Sequence, residues 1–111
     1  MCLFCDIVAG KQKAEIIFQD QDIVAFSDIK PKAPVHILVV PRKHIESLQA
    51  LEKEDIILVG KLIFQAKELA QKKGISEAYK LVFNGGRLQQ ISHLHLHLLG
   101  GWKRGEKISE V

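Results

Sequence analysis

The sequence predicts an α+β fold, in which one antiparallel sheet carries a single long helix on one face. Two observations lead to this prediction. One segment, residues 52–73, repeats its apolar residues with the period of an α-helix, and five shorter segments have the composition or the alternation of β-strands. In chain order the elements run β-β-β-α-β-β. The five strand segments are residues 15–19, 23–26, 35–40, 79–83 and 91–99.

The composition is that of a folded globular protein. Of the 111 residues, 47% are hydrophobic and 26% are charged, which excludes disorder as the main description. The net charge of +3 is small, and basic and acidic residues alternate along the chain, so we expect no nucleic-acid partner. We expect a single domain over residues 1–111, because this length is sufficient for one ordinary core.

The first residues lack the basic start and the long apolar run of a secretory signal. No segment approaches the roughly 18 consecutive apolar residues of a membrane span. We therefore expect a cytoplasmic protein without a membrane partner. Thiols are reduced in that compartment, so Cys2 and Cys5 are interpreted as metal ligands or core residues and not as a disulfide.

The strongest strand signal is the β-branched run V-H-I-L-V-V at residues 35–40. A continuous apolar run of this kind predicts a central strand, and Pro41 should end it. Before it, residues 20–22 have the aspartates of a tight turn and predict a hairpin between the first two strands. A short helical turn is expected just before Gly10.

The predicted helix carries an apolar stripe that should face the sheet. Acidic residues crowd its first turn and lysines its last turn, as the helix dipole favours. Gly60 interrupts the pattern, and we expect it to permit close packing on the sheet at a cost of about 1 kcal/mol in helix propensity. The stripe consists of Ile56, Val59, Ile63, Ala66 and Ala70, broadened by Leu62 and Leu69.

Three histidines alternate with leucines near the end of the chain, in the segment H-L-H-L-H-L at residues 93–98. This period of two predicts a strand whose leucines face the core while the three imidazole rings share the other face. His93 and His97 would lie about 13 Å apart at the backbone, too far for three rings to bind one metal ion easily. The row is compatible with a polar strand face, with metal binding, or with histidine as a nucleophile or acid–base group.

Other candidate residues also have more than one interpretation. Cys2 and Cys5 form a C-x-x-C that fits half of a metal site, a redox motif or chance. His36 lies within an apolar strand, where a hydrogen-bonded core histidine is expected, and His44 follows that strand, where an exposed polar residue is expected. Asp28 ends a strand beside a proline-containing loop, which favours a turn cap over a functional carboxylate.

Taken together, these residues resemble the histidine triad (HIT) family, and within it the Hint-like branch of nucleoside phosphoramidate hydrolases. The family motif, His-φ-His-φ-His-φ-φ with φ apolar, fits residues 93–99 at every position. Residues 26–45 resemble the second family block, and Gly100-Gly101 favours the Hint-like over the Fhit-like branch. The resemblance covers nearly the whole chain. It implies a HIT-like α+β fold with a five-stranded antiparallel sheet, one long helix and a short N-terminal helix.

The resemblance implies catalytic roles for three histidines. His95 resembles the nucleophile that attacks the α-phosphorus of a purine nucleotide, His97 the ring that contacts the phosphate, and His36 the histidine that supports the triad. Asp28 resembles the carboxylate that accepts hydrogen bonds from both ribose hydroxyls. The other implied substrate-binding residues are Leu3, Phe4, Ile7, Phe26 and Ile29 around the base, Asn84 near the phosphate, and Gln89 and Gln90 before the triad.

Family members with an N-terminal C-x-x-C carry a structural zinc ion, and their ligands match Cys2, Cys5, His44 and His93. The implied reaction is hydrolysis of a purine nucleoside 5′-phosphoramidate through a nucleotidyl-histidine on His95. A dinucleoside polyphosphate hydrolase and a zinc-stabilised nucleotide-binding module with little turnover are the alternatives. The resemblance also implies a homodimer whose sheets join across the two-fold axis.

The chain departs from the family pattern in two places. Leu88-Gln89-Gln90 stands where the family has Gly-Gln-Ser or Gly-Gln-Thr, and the loop before the triad is shorter. The family hydroxyl contacts the leaving group, so Gln90 bears on leaving-group preference. The tail, residues 102–111, lacks the Trp-Pro-Pro-Gly type of ending that helps to shape the partner's site.

Overall fold

The computed structural model describes residues 2–108, so the last three residues of the tail lie outside it. The predicted order of elements is confirmed, and the N-terminal turn is a short helix. Single 3-10 turns lie in the connections at Leu48–Ala50, Lys53–Asp55 and Gly86–Leu88. The main elements are α1 Leu3–Val8, β1 Ile16–Gln19, β2 Ile23–Ser27, β3 Val35–Pro41, α2 Ile56–Lys72, β4 Tyr79–Val82 and β5 Leu96–Gly100.

The five strands form one antiparallel sheet in the order β1-β2-β3-β5-β4. The prediction that β3 is central is confirmed. Its pairing with β5 sets Leu38 opposite His97 and Leu99 opposite His36. Because side chains alternate along a strand, His36 lies on the same face as Leu38 and therefore as His97. The register thus brings together two histidines that are 61 residues apart in the chain.

The two faces of the sheet carry two separate apolar clusters. α2 packs over the larger cluster, to which the leucines of the histidine segment belong: Leu94, Leu96 and Leu98. α1 covers the other face, where the rings of Phe4, His93 and His95 make edge contacts. The predicted division between leucines and histidines is therefore confirmed. The smaller cluster contains Phe4, Ile7, Val24, Phe26, Leu38 and Val40.

α2 buries a narrower stripe than the sequence predicts. Ile56 and Ile63 are 68% and 44% exposed, so their predicted contact with the sheet is wrong. Apolar residues cover more of this helix than one face, and only the stripe of Leu62, Ala66, Leu69 and Ala70 is buried. No helix within residues 2–108 is long and apolar enough to cross a membrane.

The predicted packing of Gly60 on the sheet is also wrong. Gly60 is exposed on α2, and a Cβ placed there would meet nothing within 4 Å. The glycine therefore weakens the helix without allowing a closer approach to another element.

β5 begins later than predicted. The strand prediction for residues 91–95 is wrong, because ladder pairing with β3 stops at the Val39–Leu96 pair. Pro41 lies two residues beyond Val39 on β3, and its missing N–H cannot continue the ladder. The chain before β5 is held instead by the amide of Leu94, which donates to the carbonyl of Ile45 at 2.7 Å. In this segment the side chains still point alternately to the two faces of the sheet, with Leu94 toward α2 and with His93 and His95 toward α1, although the regular pairing has stopped.

Gly100 is buried and Gly60 is exposed, so replacing each by alanine compares the same substitution in a packed and in an open position. A Cβ at Gly100 would lie 2.6 Å from the Cδ1 of Ile75 and 3.1 Å from the carbonyl oxygen of Ala78. We expect Gly100→Ala to lower the free energy of unfolding by about 1–3 kcal/mol through overpacking. Gly60→Ala should raise it by about 0.5–1 kcal/mol through helix propensity. Urea unfolding of both variants measures the two values, and effects of the same sign would contradict the assigned surroundings.

Candidate active site and metal-ligand cluster

A cavity of about 290 Å³ opens on the α1 side of the sheet. Its walls combine apolar side chains from α1 and β2 with two histidines of the triad, His95 and His97. The structure brings most of the predicted substrate-binding residues into this one place. Those that line the cavity are Leu3, Phe4, Ile7, Phe26, Asp28, Ile29 and Gln90.

His95 lines the cavity and is held by the backbone of its own segment. Its Nδ1 lies 2.7 Å from the carbonyl oxygen of His93, so Nδ1 carries the proton and donates it. The lone pair of the neutral ring is therefore on Nε2. Burial lowers the pKa of His95, partly opposed by the bond to His93 and the charge of Asp28. A buried neutral imidazole with a free lone pair is a nucleophile.

His36 and His97 form a hydrogen-bonded pair beside His95. The amide of Lys32 donates to the Nδ1 of His36 at 3.0 Å, so the proton of the neutral His36 ring is on Nε2. That atom lies 2.9 Å from the Nδ1 of His97 and donates to it. The proton of His97 is consequently on Nε2. Burial, followed by the charges of His95 and His36, lowers the pKa of His97 to about 4.

Asp28 combines the predicted turn cap with a place in the cavity. The amide of Lys30 donates to its Oδ1 at 2.9 Å, which is the cap. Its other carboxylate oxygen, Oδ2, lies 3.5 Å from the Nε2 of His36. The carboxylate is partly accessible, with 19% of the side chain exposed. The two interpretations of this residue are therefore compatible.

Two cysteines and two histidines meet at the N-terminus of α1. The ligand atoms of Cys2, Cys5, His44 and His93 all lie within 4.8 Å of one another. The Nδ1 of His93 is 3.4 Å from the sulfur of Cys2 and 3.5 Å from that of Cys5, and the Nδ1 of His44 is 3.0 Å from that of Cys5. Sulfur and nitrogen ligands on one tetrahedral zinc ion are separated by roughly 3.5 Å.

The orientation of His93 also fits a metal ligand. Its Nε2 lies 2.8 Å from the carbonyl oxygen of Pro41 and donates to it, which leaves the lone pair of Nδ1 directed at the cysteines. Burial lowers the pKa of His93, so the ring is in the neutral form that binds metals. The four side chains can therefore hold one metal ion with four protein ligands.

A second group, formed by Asp28, His36 and His97, also has its ligand atoms within 4.8 Å of one another. The two histidine nitrogens are only 2.9 Å apart and share one proton, as described above. Nitrogen ligands on one tetrahedral ion are separated by roughly 3.3 Å and both lack a proton. Asp28, His36 and His97 therefore form a hydrogen-bonded network and not a metal site.

Two predicted substrate-binding residues lie outside the cavity lining. The side-chain amide of Gln89 donates to the carbonyl oxygens of Glu46 at 2.6 Å and Ile91 at 2.7 Å. These bonds tie the segment before the triad to the loop after β3. The Nδ2 of Asn84 lies 3.4 Å from the Nε2 of His97, a long contact. A substrate role for Gln89 and Asn84 remains a prediction.

The groups that sequence reasoning missed belong to the backbone. The carbonyl oxygens of Pro41 and His93 and the amide of Lys32 fix the positions of protons on three histidine rings. Every residue has such groups, so no residue type marks them in the sequence. The cysteines and histidines are candidates because their side chains carry such chemistry themselves, whereas the functional role of Asp28 is implied by the family resemblance.

Comparison with known proteins gives a family. Residues 1–108 match a family model described as the C-terminal binding region of the scavenger mRNA decapping enzyme. A HIT-like protein of Synechocystis is 42% identical over 101 residues, which is 89% of each chain.

Solved structures agree with the sequence comparison. A HIT family hydrolase from Legionella pneumophila is 44% identical, with a TM-score of 0.90 over 93% of this chain and 95% of that chain. A zinc-bound histidine triad family protein from Mycobacterium smegmatis is 26% identical, with a TM-score of 0.83 over 98% of this chain and 80% of that one. The histidine row, the five-stranded sheet and these likenesses lead to one conclusion: the chain belongs to the histidine triad (HIT) family.

Proposed function

We propose that this HIT family protein is a nucleotide hydrolase that cleaves purine nucleoside 5′-phosphoramidates through a covalent intermediate on His95. The observation that carries the proposal is the state of His95 in the cavity. Its Nδ1 is committed to the carbonyl of His93, and its Nε2 lone pair is free to attack. The similarity to the HIT family hydrolase of Legionella pneumophila supports the same class of reaction.

The first step exchanges one P–N bond for another. The Nε2 of His95 attacks the α-phosphorus, the bond from phosphorus to the amine breaks, and the amine leaves with that electron pair. The departing amine takes up a proton from water, because the amide of Gln90 donates hydrogen bonds but is not an acid. The product of this step is a nucleotidyl-histidine and a free amine.

The second step returns the enzyme to its starting state. Water attacks phosphorus, the bond to the Nε2 of His95 breaks, and the nucleoside monophosphate leaves while a proton is lost to solvent. His97 assists both steps by donating its Nε2–H to a phosphoryl oxygen, since its Nδ1 already accepts from His36. His36 acts through His97 by holding that ring in this tautomer.

The remaining cavity walls suit a nucleoside. Phe4 and Phe26 pack edge to face with their ring centroids 5.4 Å apart, and they offer apolar surface to a base. We assign the partly accessible carboxylate of Asp28 to the ribose, because a carboxylate can accept hydrogen bonds from two neighbouring hydroxyls at once. An apolar slot of this kind recognises a purine by shape and contact area.

We further propose that Cys2, Cys5, His44 and His93 hold a structural zinc ion. Four protein ligands fill a tetrahedral ion, so bound zinc would supply cross-linking and no open position for substrate. The geometry of the four ligand atoms and the zinc-bound Mycobacterium relative support this proposal.

The sheet edge and the outer face of α2 support the homodimer implied by the family resemblance. β4 is a terminal strand of the sheet, so its outer edge is in a position to meet the sheet of a second copy. α2 exposes several large apolar side chains to solvent, which is unfavourable for a monomer. These are Ile56, Ile57, Ile63 and Phe64.

The reaction is tested with two substrates and two variants. We expect the protein to hydrolyse adenosine 5′-phosphoramidate and to leave diadenosine polyphosphates largely intact. His95→Ala should lower phosphoramidate turnover by more than about 10³-fold while AMP still binds, because the nucleophile is removed and the pocket is kept. Ser92→Ala, an exposed neighbour on the same segment, should retain turnover within about twofold.

The outcomes separate the alternatives. Near-normal turnover by the His95 variant would overturn the covalent mechanism. Preferential cleavage of a diadenosine polyphosphate would favour a polyphosphate hydrolase. Binding of AMP without cleavage of either substrate would favour a nucleotide-binding module.

The metal proposal predicts about one zinc ion per chain in protein purified without a histidine tag under reducing conditions. Cys5→Ser should lose most of this zinc, because three ligands hold the ion less tightly than four. His97→Gln, a change in the neighbouring histidine network, should retain it. Metal analysis by mass spectrometry gives the content, and the absence of zinc from fresh wild-type protein would refute the assignment.

The dimer proposal predicts a two-chain species in analytical ultracentrifugation at micromolar concentration. Ile63→Lys places a charge in the exposed apolar face of α2 and should shift the protein toward monomer. Gln71→Lys changes an exposed polar residue of the same helix to the same side chain and should leave the dimer intact. A wild-type monomer would contradict the proposal.

A further inference from the structure

Three lysines line the candidate active-site cavity, and the reaction proposed above uses none of them: Lys13, Lys30 and Lys32. All three are exposed, and none forms an ion pair with another residue in the described range 2–108. By contrast, Lys43 and Lys61 are paired with aspartates at 2.7 and 2.9 Å. Among the described residues, these three positive charges have no ion-pair partner at the cavity that His95 and His97 line.

The charge of the cavity exceeds what the assigned ligand groups require. Its other formally charged lining residue is Asp28, since the hydrogen bonds described above hold His95 and His97 as neutral rings. The α-phosphate is already met by the two histidines. Three ammonium groups and one carboxylate leave the lining with a net positive charge, and this potential favours a ligand with more negative charge than the singly charged phosphoramidate monoester.

The position of two of the lysines shows where the additional charge would lie. Lys30 is two residues after Asp28, and its amide donates to the carboxylate that we assign to the ribose. The amide of Lys32 donates to His36, next to the same carboxylate. Burial is the main cause of the low pKa of His36 and His97, and the charge of Lys32 adds to it, so its ammonium group acts across this part of the cavity. The backbones of both lysines therefore lie at the ribose end, and both residues line the same cavity.

We infer that Lys30 and Lys32 form a subsite for a second phosphate, carried on the 2′ or 3′ oxygen of the ribose. The inference rests on the proposed function, because the assignment of Asp28 to the ribose locates the subsite. One ribose hydroxyl remains free to donate to Asp28, and two ammonium groups outweigh the repulsion between one carboxylate and the phosphate. The substrate class is then a nucleoside bisphosphate that carries an amine on its 5′-phosphate. The reaction at the α-phosphorus is unchanged.

The test compares four ligands by isothermal titration calorimetry at low salt: AMP, adenosine 2′,5′-bisphosphate, adenosine 3′,5′-bisphosphate and ADP. We expect one of the two bisphosphates to bind about tenfold more tightly than AMP, with a gain that falls as salt is added. The double variant Lys30→Gln, Lys32→Gln should reduce that gain to within about twofold and change AMP affinity much less. Lys53→Gln is the matched control, because Lys53 is an exposed lysine in the 3-10 turn before α2. This variant should retain the gain.

Each outcome decides the question. A gain for the 2′ or the 3′ compound that depends on the two lysines supports the subsite and identifies the oxygen. Equal affinity for AMP and both bisphosphates overturns the subsite and leaves the proposed function intact. A similar gain for ADP overturns the ribose-side location, because ADP carries its second phosphate on the 5′ side. Failure of AMP itself to bind overturns the proposed function together with this inference.

Discussion

Backbone hydrogen bonds decide which nitrogen of each buried histidine carries its proton, and the chemistry of the site depends on that choice. The carbonyl of Pro41 takes the Nε2–H of His93, and the carbonyl of His93 takes the Nδ1–H of His95. The amide of Lys32 donates to the Nδ1 of His36, so the proton of His36 is on Nε2 and is donated to the Nδ1 of His97. His95 alone of the four rings carries its proton on Nδ1. Neighbouring rings of the same residue type thus present a lone pair at different nitrogens.

These backbone partners are themselves consequences of the sheet. Pro41 ends β3 and lies beyond the last pair of β3 with β5, so its carbonyl oxygen accepts from the ring of His93. The segment before β5 leaves the regular pairing at the same point, and the carbonyl of His93 becomes available to His95. A fully paired strand would have used both carbonyls in the ladder. The early end of β5 is therefore a condition for the observed tautomers.

The metal-ligand cluster and the cavity share α1. Cys2 caps the helix, its sulfur accepting from the amide of Cys5 at 3.4 Å, while Phe4 and Ile7 of the same helix line the cavity. A helix of six residues is too short to be stable alone, so its position depends on what holds its ends. An ion bound by both cysteines, His44 and His93 would fasten α1 to the sheet. Metal binding would then maintain the cavity wall at a distance from the reacting atoms.

How much the sequence predicts depends on whether a feature resides in side chains or in the backbone. The order of elements and the antiparallel sheet follow from periodicity and residue type. The clustering of Cys2, Cys5, His44 and His93 follows from the family resemblance, because residue type alone left several interpretations of each of them open. The orientation of α2 does not follow from periodicity, because apolar residues cover more than one face and tertiary packing selects among them. The cavity lining by Asp28 follows from the family resemblance, whereas its cap to Lys30 follows from local turn chemistry.

The start of β5 and the tautomers have no signal in residue type. They depend on carbonyl and amide groups that every residue possesses, and only the register decides which of them stay unpaired. The two lysines of the proposed subsite show the opposite case. Lys30 and Lys32 are visible in the sequence, but a loop lysine is usually a solvated surface charge. Only the fold shows that they line a cavity next to a carboxylate, where no described acidic side chain pairs with them.

Burial and loop charge act together on the histidines. Removal from water lowers the pKa of His36, His95 and His97, which keeps the nucleophile unprotonated and its neighbours neutral. The loop between β2 and β3 then adjusts this effect in both directions, since Asp28 raises those pKa values and Lys32 lowers two of them. An anion bound at the loop would offset the lysine charge and favour protonation of the His36 and His97 pair. The loop that we propose for the ribose is thereby electrostatically connected to His97, the ring that we propose for the phosphate.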